Sequence, residues 1–332
     1  MASKKDPQGA IPVPSPGALA SEAPAAGAPG AIPKVKPVRT TLDPKHPTYK
    51  LYEGVRSALT ALPMMFRSEI NITGVLATDL FTFNSALGAS IEDQMVTALN
   101  TPELRATWDP EHHYLSHRFI RRPQSFPDVV LLPASDAPPV MGIELKGWFV
   151  LSKEGEPSFR YKITPKACAP YDLLAVFPWA LSNAVSGTPH LYPPFVESAA
   201  YVAAYRNWHW SWGMDGKGRP IRLSAVTTPY PMKADPADDE AVDDKGGNYG
   251  RTARTGLMDD FVKRQLMELL LGIPISSWLA FLKIHASDAT GESIARGLRQ
   301  LAASLAASEK KLDAARVNEI ADLLGQVAAL LK

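Results

Sequence analysis

Three charged residues that lie in or beside apolar stretches are the candidates for chemistry in this sequence. Glu144 and Lys146 stand inside the run GIELKGWFV, and Asp128 comes directly before the run VVLLP. An unpaired charge is costly to bury, so strand interiors normally exclude such side chains. Because alternate side chains of a strand share one face, Glu144 and Lys146 are expected to project together. The pattern predicts an acid and a base presented side by side.

Asp128 would add a second carboxylate if its strand pairs with the strand of Glu144. Fifteen residues separate the two acids, and the segment PASDAP between them favours a turn. A hairpin that bends or bulges would then bring Asp128, Glu144 and Lys146 to one end of a sheet. Two carboxylates with nearby backbone oxygens suit a hard divalent cation, above all Mg²⁺, which prefers oxygen ligands and keeps several waters.

The chemistry that this arrangement would support is hydrolysis of a phosphodiester. A bound Mg²⁺ polarises a phosphoryl oxygen and acidifies a water for attack on phosphorus. Lys146 could neutralise developing charge, orient the water, or help to deprotonate it if its pKa is lowered. Two structural alternatives stay open: a surface-facing pair of Glu144 with Lys146, and a turn-forming role for Asp128 at the start of a strand.

The order PD (127–128) followed by ELK (144–146) resembles the signature of the PD-(D/E)xK nuclease superfamily. In that superfamily the two motifs lie on adjacent strands. The resemblance implies that Asp128 and Glu144 bind the metal and that Lys146 assists the attacking water. It also predicts which neighbouring groups should complete the site.

Two further residues receive roles from the resemblance. The backbone carbonyl of Leu145 would complete the metal shell. Many members carry a glutamate on the helix before the hairpin, and Glu92 in GASIEDQM occupies a matching place. The alternative for Glu92 is a glutamate in the first turn of a helix, where it complements the helix dipole.

Longer stretches resemble one class of the superfamily, the type II restriction endonucleases. FRYKITPKACAPYDLLAVFPWALS (159–182) and GGNYGRTARTGLMDDFV (246–262) carry this resemblance, which spans roughly residues 65–270. It implies a Mg²⁺-dependent, sequence-specific endonuclease that cuts double-stranded DNA, with a restriction-endonuclease-like core. It also implies a homodimer matched to palindromic sites and functional pairing with a DNA methyltransferase.

Two other functions are kept beside this one. The first is another nuclease of the same superfamily, acting in DNA repair or recombination through the same site. The second is a non-catalytic DNA-binding protein in which Glu144 and Lys146 merely pair. A nuclease of either kind requires Asp128 and Glu144 for cleavage, whereas only a restriction enzyme produces discrete fragments from a long duplex.

Basic residues near the motif are candidates for contacting DNA: Arg160, Lys162, Lys166, Arg251 and Arg254. The two arginines of NYGRTAR lie in a glycine-containing segment before a predicted helix, where arginines often hold phosphates or read guanine. Pairing with Asp259, Asp260 or the acidic loop is their alternative. The other three residues follow the candidate strand closely, and a solvated face is the alternative for them.

Two clusters are weaker candidates for binding. Trp208, Trp210 and Trp212 alternate in a segment that could stack on bases, although core packing or a dimer contact is the favoured interpretation. His113 and His117 would share a face if helical. A zinc site is not favoured there, because no cysteine lies nearby.

The elements that must position these residues follow from hydrophobic periodicity. Strands are predicted over 119–132, 140–151 and 171–182, the first two forming a hairpin. Helices are predicted over 48–66, from a capping box at Ser90 and Asp93 onward, and over 194–211, 257–271, 275–286 and 291–331, the last broken near Ser308. The order predicts an α/β (α+β) fold, with a central mixed β-sheet flanked by helices and a helical C-terminal part.

Composition predicts how the chain is divided. Residues 1–40 form a Pro/Ala-rich tail that is expected to be disordered, residues 41–286 the nuclease domain, and residues 287–332 C-terminal helices packed on it or extending it. The alternative for the tail is an arm that follows a polyanion with its basic residues. Residues 234–244 carry six acids and no base, which predicts a solvated loop.

Other features limit the class of protein. The single cysteine, Cys168, excludes an internal disulfide framework and favours a reducing compartment. No apolar run approaches the length of a membrane span, and the first residues lack the apolar core of a signal peptide. A cytoplasmic protein without a membrane partner is therefore expected. The net charge of +1 decides little, because charge is segregated along the chain.

Overall fold

The computed structural model of the chain describes residues 31–39, 42–74, 80–122, 125–284 and 290–308. A mixed sheet lies at the centre, built from β1 (His117–Arg121), β2 (Val129–Pro133), β3 (Met141–Phe149), β4 (Leu173–Leu181), β5 (Pro189–Leu191) and β6 (Phe195–Ser198). The α-helices around it are α1 (Tyr49–Met65), α2 (Leu80–Leu99), α3 (Pro102–Trp108), α4 (Ala199–Trp208), α5 (Asp259–Met267), α6 (Ile275–Ile284) and α7 (Gly291–Ser308). The predicted mixed sheet flanked by helices is confirmed.

Strand directions in the sheet change at β3. β1, β2 and β3 form an antiparallel meander, whereas β4 runs parallel to β3 along seven paired positions. Every residue of β4 is buried, as a parallel strand covered on both faces requires, and its sequence LLAVFPWAL is accordingly a continuous apolar run. β5 and β6 both pair antiparallel with β4. The predicted β2–β3 hairpin is confirmed.

The predicted strand over residues 119–132 is in fact two strands. The chain reverses between β1 and β2, and Arg122 N donates a hydrogen bond to Asp128 O across this reversal (2.7 Å). Apolar residues continue on both sides of the turn, so periodicity alone merges the two strands. Pro127 is the local signal against one continuous strand, because proline cannot donate to a central ladder.

The expected capping box at Ser90 and Asp93 is wrong. Both residues lie in the middle of α2, which is already helical at Leu80. The upstream residues LFTFNSALGA include few strong helix breakers, so the helix extends well before the polar pair. The apolar stripe predicted for this helix is buried against the sheet, with Ile91, Met95 and Leu99 in the core.

The aromatic segment over residues 194–211 begins as a strand rather than a helix. β6 pairs with β4, and α4 follows it with Ser198 as its N-cap; the Ser198 side chain accepts a hydrogen bond from Tyr201 N (3.4 Å). The helix then continues as one π-helical turn, His209–Gly213. The predicted helices at 48–66 and in the C-terminal part are observed as α1 and as α5, α6 and α7, and residues 309–332 lie outside the described part.

Two small hairpins complete the described part of the chain: β7 (Ile221–Arg222) with β8 (Glu240–Ala241), and β9 (Leu269–Leu270) with β10 (Ile273–Pro274). The second of them separates α5 from α6, where the sequence indicated only a break at Pro274. Within the described segments, no helix has the length and apolar character that a membrane crossing requires.

Candidate active site

Three charged side chains meet where β2 begins and β3 passes it. Val129 pairs with Ile143, so one position further along the ladder Asp128 faces Glu144, and Asp128 N donates a hydrogen bond to Glu144 Oε2 (3.3 Å). Lys146 follows two residues after Glu144 on the same strand and the same face. The antiparallel register therefore brings the acid before β2 to the acid of β3.

The lysine ammonium bridges the two carboxylates. Lys146 Nζ lies 2.8 Å from Glu144 Oε1 and 3.1 Å from Asp128 Oδ2. Leu145 N donates a second hydrogen bond to Asp128 Oδ2 (3.0 Å). The side chains of Glu144, Lys146 and Asp128 are only 9%, 21% and 27% exposed, so this group is not the solvated surface pair of the alternative interpretation.

Burial and charge act in opposite directions on the two residues of β3. Burial raises the pKa of Glu144 to about 7, with Asp128 adding to the rise and Lys146 opposing it. Burial lowers the pKa of Lys146, but the two carboxylates outweigh that effect and hold the pKa above its usual range. The two carboxylates thus favour the ammonium form of Lys146 in this arrangement. Charge neutralisation and water orientation are the two of its three roles that an ammonium can fill.

Glu92 lies near the trio but has its own partner. Arg121 Nη2 donates a hydrogen bond to Glu92 Oε2 (3.3 Å). Burial raises the pKa of Glu92, and the negative charge of Asp128 raises it further. Because α2 is helical from Leu80, Glu92 is not in a first turn, and the helix-dipole alternative is wrong.

The donor chemistry of the trio fits a hard cation. Asp128 and Glu144 each direct a carboxylate oxygen at one positive centre, the ammonium of Lys146. Oxygen donors of this kind are those that Mg²⁺ prefers. Among the residues that the structure describes, no group of three or more His, Cys, Asp and Glu side chains is arranged to hold a metal ion. A cation here would have two carboxylates and main-chain oxygen as its protein ligands.

A buried acid that the sequence interpretation missed holds the start of β3. Gly142 N donates a hydrogen bond to Asp172 Oδ1 (2.7 Å), and the Tyr230 hydroxyl donates to the same oxygen (2.7 Å). Ala169 N donates to Asp172 Oδ2 (2.7 Å). Asp172 stands directly before the apolar run of β4, as Asp128 does before β2, and that position was the available signal.

Gly142 is required where β3 passes the PD motif. A Cβ atom on Gly142 would collide with the ring of Pro127 and would lie 3.1 Å from Asp172 Oδ1. Gly142, Glu144 and Lys146 share one face of the strand, so the glycine lets Pro127 lie directly beside the charged trio. The packing thereby positions Asp128, the next residue in the chain.

The carboxyl of Asp172 is expected to make stability depend on pH. Burial raises its pKa to about 6, against about 3.9 in an unfolded chain. Its stabilising contribution is therefore fully present below pH ~4 and is lost as pH rises through ~6, a loss of about 2–3 kcal/mol. Urea unfolding from pH 4 to 7 should show that Asp172→Asn lacks this part of the slope. Asp136→Asn, on the exposed β2–β3 turn, should keep it, and parallel curves for all three proteins would contradict the assignment.

The two arginines proposed to contact DNA are held in ion pairs. Arg251 Nη1 lies 3.1 Å from Glu154 Oε2, and Arg254 Nε lies 2.8 Å from Glu156 Oε1. Their acidic partners are thus Glu154 and Glu156, not Asp259, Asp260 or the acidic loop. The Nε of Arg251 is buried without a hydrogen-bond partner and is a spare donor. Both arginines line a cavity of about 130 Å³.

The two groups of basic candidates are neighbours in space. Arg160 and Arg251 form an isolated antiparallel bridge, and Tyr161 N donates a hydrogen bond to Gly250 O (2.8 Å). Arg160 and Lys166 are exposed, whereas Lys162 is half-buried. The structure therefore joins segments that are about ninety residues apart in sequence. The arginines of the second segment form ion pairs with Glu154 and Glu156, and not with Asp128 or Glu144.

The remaining predicted clusters are separated by the fold. His117 is the first residue of β1, so it does not share a helical face with His113, which pairs with Glu111 (3.6 Å). Trp210 packs against Tyr249 with ring centroids 5.4 Å apart in a small second core. Trp208 and Trp212 instead contact the segment near residue 33, where their indole N–H groups donate to the carbonyls of Lys34 and Ile32. Core packing is therefore confirmed for Trp210 alone.

Part of the acidic segment 234–244 is buried, contrary to the prediction of a solvated loop. Asp239 pairs with Arg206 Nη2 (2.9 Å), and both side chains are almost fully buried. Arg206 Nη1 in turn donates hydrogen bonds to the carbonyls of Tyr161 (2.7 Å) and Ile163 (3.0 Å). This buried pair fixes the segment that carries Arg160 and Lys162.

Comparison of the chain with protein-family models, with curated proteins and with solved structures finds no match. The inference of function therefore depends on the charged trio, on the strands that position it and on the basic segments described above.

Proposed function

We propose that the protein is a Mg²⁺-dependent endonuclease of the type II restriction kind, which hydrolyses phosphodiester bonds in double-stranded DNA. The observation that carries this proposal is the convergence of Asp128 and Glu144 on the ammonium of Lys146, from two adjacent antiparallel strands. The order PD and then ELK along the chain supports it further. An isolated structural pair would not require a second, partly buried acid at the same ammonium.

The surrounding elements support a restriction-endonuclease-like core. Helix α2 precedes the meander of β1, β2 and β3, and it contacts β3. β4 then pairs in parallel with the other edge of β3, the strand that carries Glu144. We propose that these elements form the nuclease core, with Glu92 of α2 as a peripheral acid of the site.

In the proposed mechanism Asp128, Glu144 and the carbonyl of Leu145 would hold the cation. When bound, Mg²⁺ supplies polarisation of a phosphoryl oxygen and a lowered pKa for a water. Glu144 acts in its ionised form, which a nearby cation favours over the protonated acid. Lys146 donates hydrogen bonds, so it orients the attacking water and neutralises charge that develops on the phosphoryl group. We assign Lys146 a positioning role, which its raised pKa supports.

The basic residues would bind the DNA backbone near the site. Arg160 and Lys166 are exposed, and the bridge between Arg160 and Arg251 places the NYGRTAR segment beside them. Arg251 and Arg254 could exchange their glutamate partners for phosphates, and Lys162 could contribute at closer range. A homodimer on a palindromic site, paired with a DNA methyltransferase, completes this proposal.

The direct test is DNA cleavage with and without the cation. Purified protein is incubated with unmodified phage DNA in Mg²⁺ or in EDTA, and the products are separated on a gel. Discrete fragments that require Mg²⁺ are expected. A smear would instead indicate a repair or recombination nuclease that uses the same residues. If several unmodified DNAs stay intact, the nuclease proposal is wrong. The alternative is then a non-catalytic DNA-binding protein in which Lys146 only forms ion pairs with its neighbours.

A further inference from the structure

The outer face of α4 and its π-helical turn carries a row of four aromatic rings: Tyr201, Tyr205, Trp208 and Trp212. They are spaced three or four residues apart and so lie on one side of the helix. Ring centroids are 5.9 Å apart between the two tyrosines and 5.5 Å apart between Tyr205 and Trp208. We call this row the aromatic ladder.

Residues 31–39, AIPKVKPVR, lie along the ladder and are called the docking segment. Their placement differs from the disorder predicted for the tail. Each cation of the segment lies over a ring, as measured to the ring centroid: Lys34 over Trp212 (5.8 Å), Lys36 over Tyr205 (5.2 Å) and Trp208 (5.6 Å), and Arg39 over Tyr201 (5.8 Å). The segment therefore runs antiparallel to α4, with its three cations distributed over the four rings and Lys36 shared by Tyr205 and Trp208.

The ladder also recognises the backbone of the segment. Trp212 Nε1 donates a hydrogen bond to the carbonyl of Ile32 (2.9 Å), and Trp208 Nε1 donates to the carbonyl of Lys34 (2.9 Å). Arg39 Nε pairs with Glu197 Oε2 (2.7 Å) at the other end. Grooves of aromatic rings that donate to backbone carbonyls are a recurring way to bind extended proline-containing peptides.

A glycine packs closely against the ring of Trp212. A Cβ atom on Gly218 would lie 2.8 Å from that ring, and the residue has a φ of +70°, which favours glycine. A larger residue at this position would therefore displace a ring of the ladder.

Most of the docking segment is not part of a core. Ile32 packs against the small second core, but the valines face solvent, since Val35 is 78% exposed and Val38 is 83% exposed. The other contacts are made by carbonyl oxygens and by three exposed cations, features that any extended basic segment with prolines would offer. Contacts of this kind are individually weak, so the segment can be exchanged.

We propose that the aromatic ladder is a peptide-docking surface for extended, basic, proline-containing segments, and that residues 31–39 are its occupant within the same chain. Specificity comes from cations spaced to match the rings, from two carbonyls opposite the indole donors, and from Glu197 at one end. The surface is built from residues other than those of the proposed nuclease site, and its test is independent of DNA cleavage.

The test uses a fluorescent peptide of sequence AIPKVKPVR and the full-length chain. In one variant, Lys34→Glu, Lys36→Glu and Arg39→Glu remove the attraction of the segment for the rings and for Glu197. Fluorescence anisotropy should show that this variant binds the peptide at least about tenfold more tightly than the wild type, whose own segment competes at high effective concentration. A peptide with glutamate at the three cationic positions should not bind.

Two ladder variants in the same charge-reversed background complete the test. Trp208→Ala with Trp212→Ala should abolish peptide binding. Trp208→Phe with Trp212→Phe keeps the rings but removes both N–H donors, so it should weaken binding without abolishing it; it also provides the measurement if the alanine variant unfolds. No peptide binding to the charge-reversed chain, or equal binding by the chain and both ladder variants, would overturn the proposal.

Discussion

Glu144→Gln is expected to lower the rate of Mg²⁺-dependent DNA cleavage by about 1000-fold or more. The carboxamide keeps the shape of the side chain but removes the negative charge that binds a divalent cation. Its NH₂ group cannot coordinate a metal. Loss of a metal-supplied stabilisation of several kcal/mol corresponds to this factor. The measurement is single-turnover cleavage of a plasmid at saturating Mg²⁺ and pH 8.

Two controls separate lost chemistry from lost structure. Glu111→Gln changes an exposed acid that pairs with Lys50, far from β3 in sequence, and should leave cleavage unchanged. Because burial raises the pKa of Glu144 to about 7, the ionised group opposes folding above that pH. The Glu144→Gln protein should therefore unfold at pH 8 no more easily than the wild type. A Glu144→Gln rate within tenfold of the wild type would rule out Glu144 as a metal ligand.

Asp239→Ala is expected to destabilise the fold by about 3–5 kcal/mol, the usual result of breaking a buried ion pair from one side. The Arg206 and Asp239 side chains are 1% and 0% exposed. The substitution would leave a buried guanidinium without its counter-charge, and Ser224 N would lose its acceptor, Asp239 Oδ1 (2.9 Å). Such a loss is a large part of the stability of an ordinary domain, about 5–15 kcal/mol.

Urea unfolding at pH 7 measures this effect, and the neighbouring residue provides a matched control. Glu240 pairs with Arg222 at the surface (2.9 Å), so Glu240→Ala should cost no more than about 1 kcal/mol. Arg206→Met combined with Asp239→Leu removes both charges but leaves the Tyr161 and Ile163 carbonyls and Ser224 N without these partners, so it should recover only part of the loss. If Asp239→Ala costs as little as Glu240→Ala, the pair does not fix the segment that carries Arg160.

Local patterns in the sequence predicted the hairpin of the site but not its limits. Turn-forming residues at 133–138 and apolar runs on both sides predicted the β2–β3 hairpin correctly. The same periodicity merged β1 with β2 and placed the start of α2 at Ser90. Periodicity identifies which faces are apolar, whereas the ends of elements depend on packing with distant residues.

Long-range partners could not be predicted from local patterns. Asp172 holds Gly142, thirty residues away, and Asp239 holds Arg206, thirty-three residues away. The docking segment meets Trp208 and Trp212 more than 170 residues further along the chain. Each pairing depends on how β4, α4 and the acidic segment pack. No characteristic separation along the sequence identifies contacts of this kind.

The sequence by itself determined that Glu144 and Lys146 share a face, because alternation is a property of any extended strand. It also determined the order of the acids along the chain, from which the site was inferred. Only the tertiary structure decided that Asp128 faces Glu144, since that depends on the register of β2 against β3. The raised pKa of Lys146 likewise depends on the tertiary structure, because a pKa reflects the burial and charges that packing brings together.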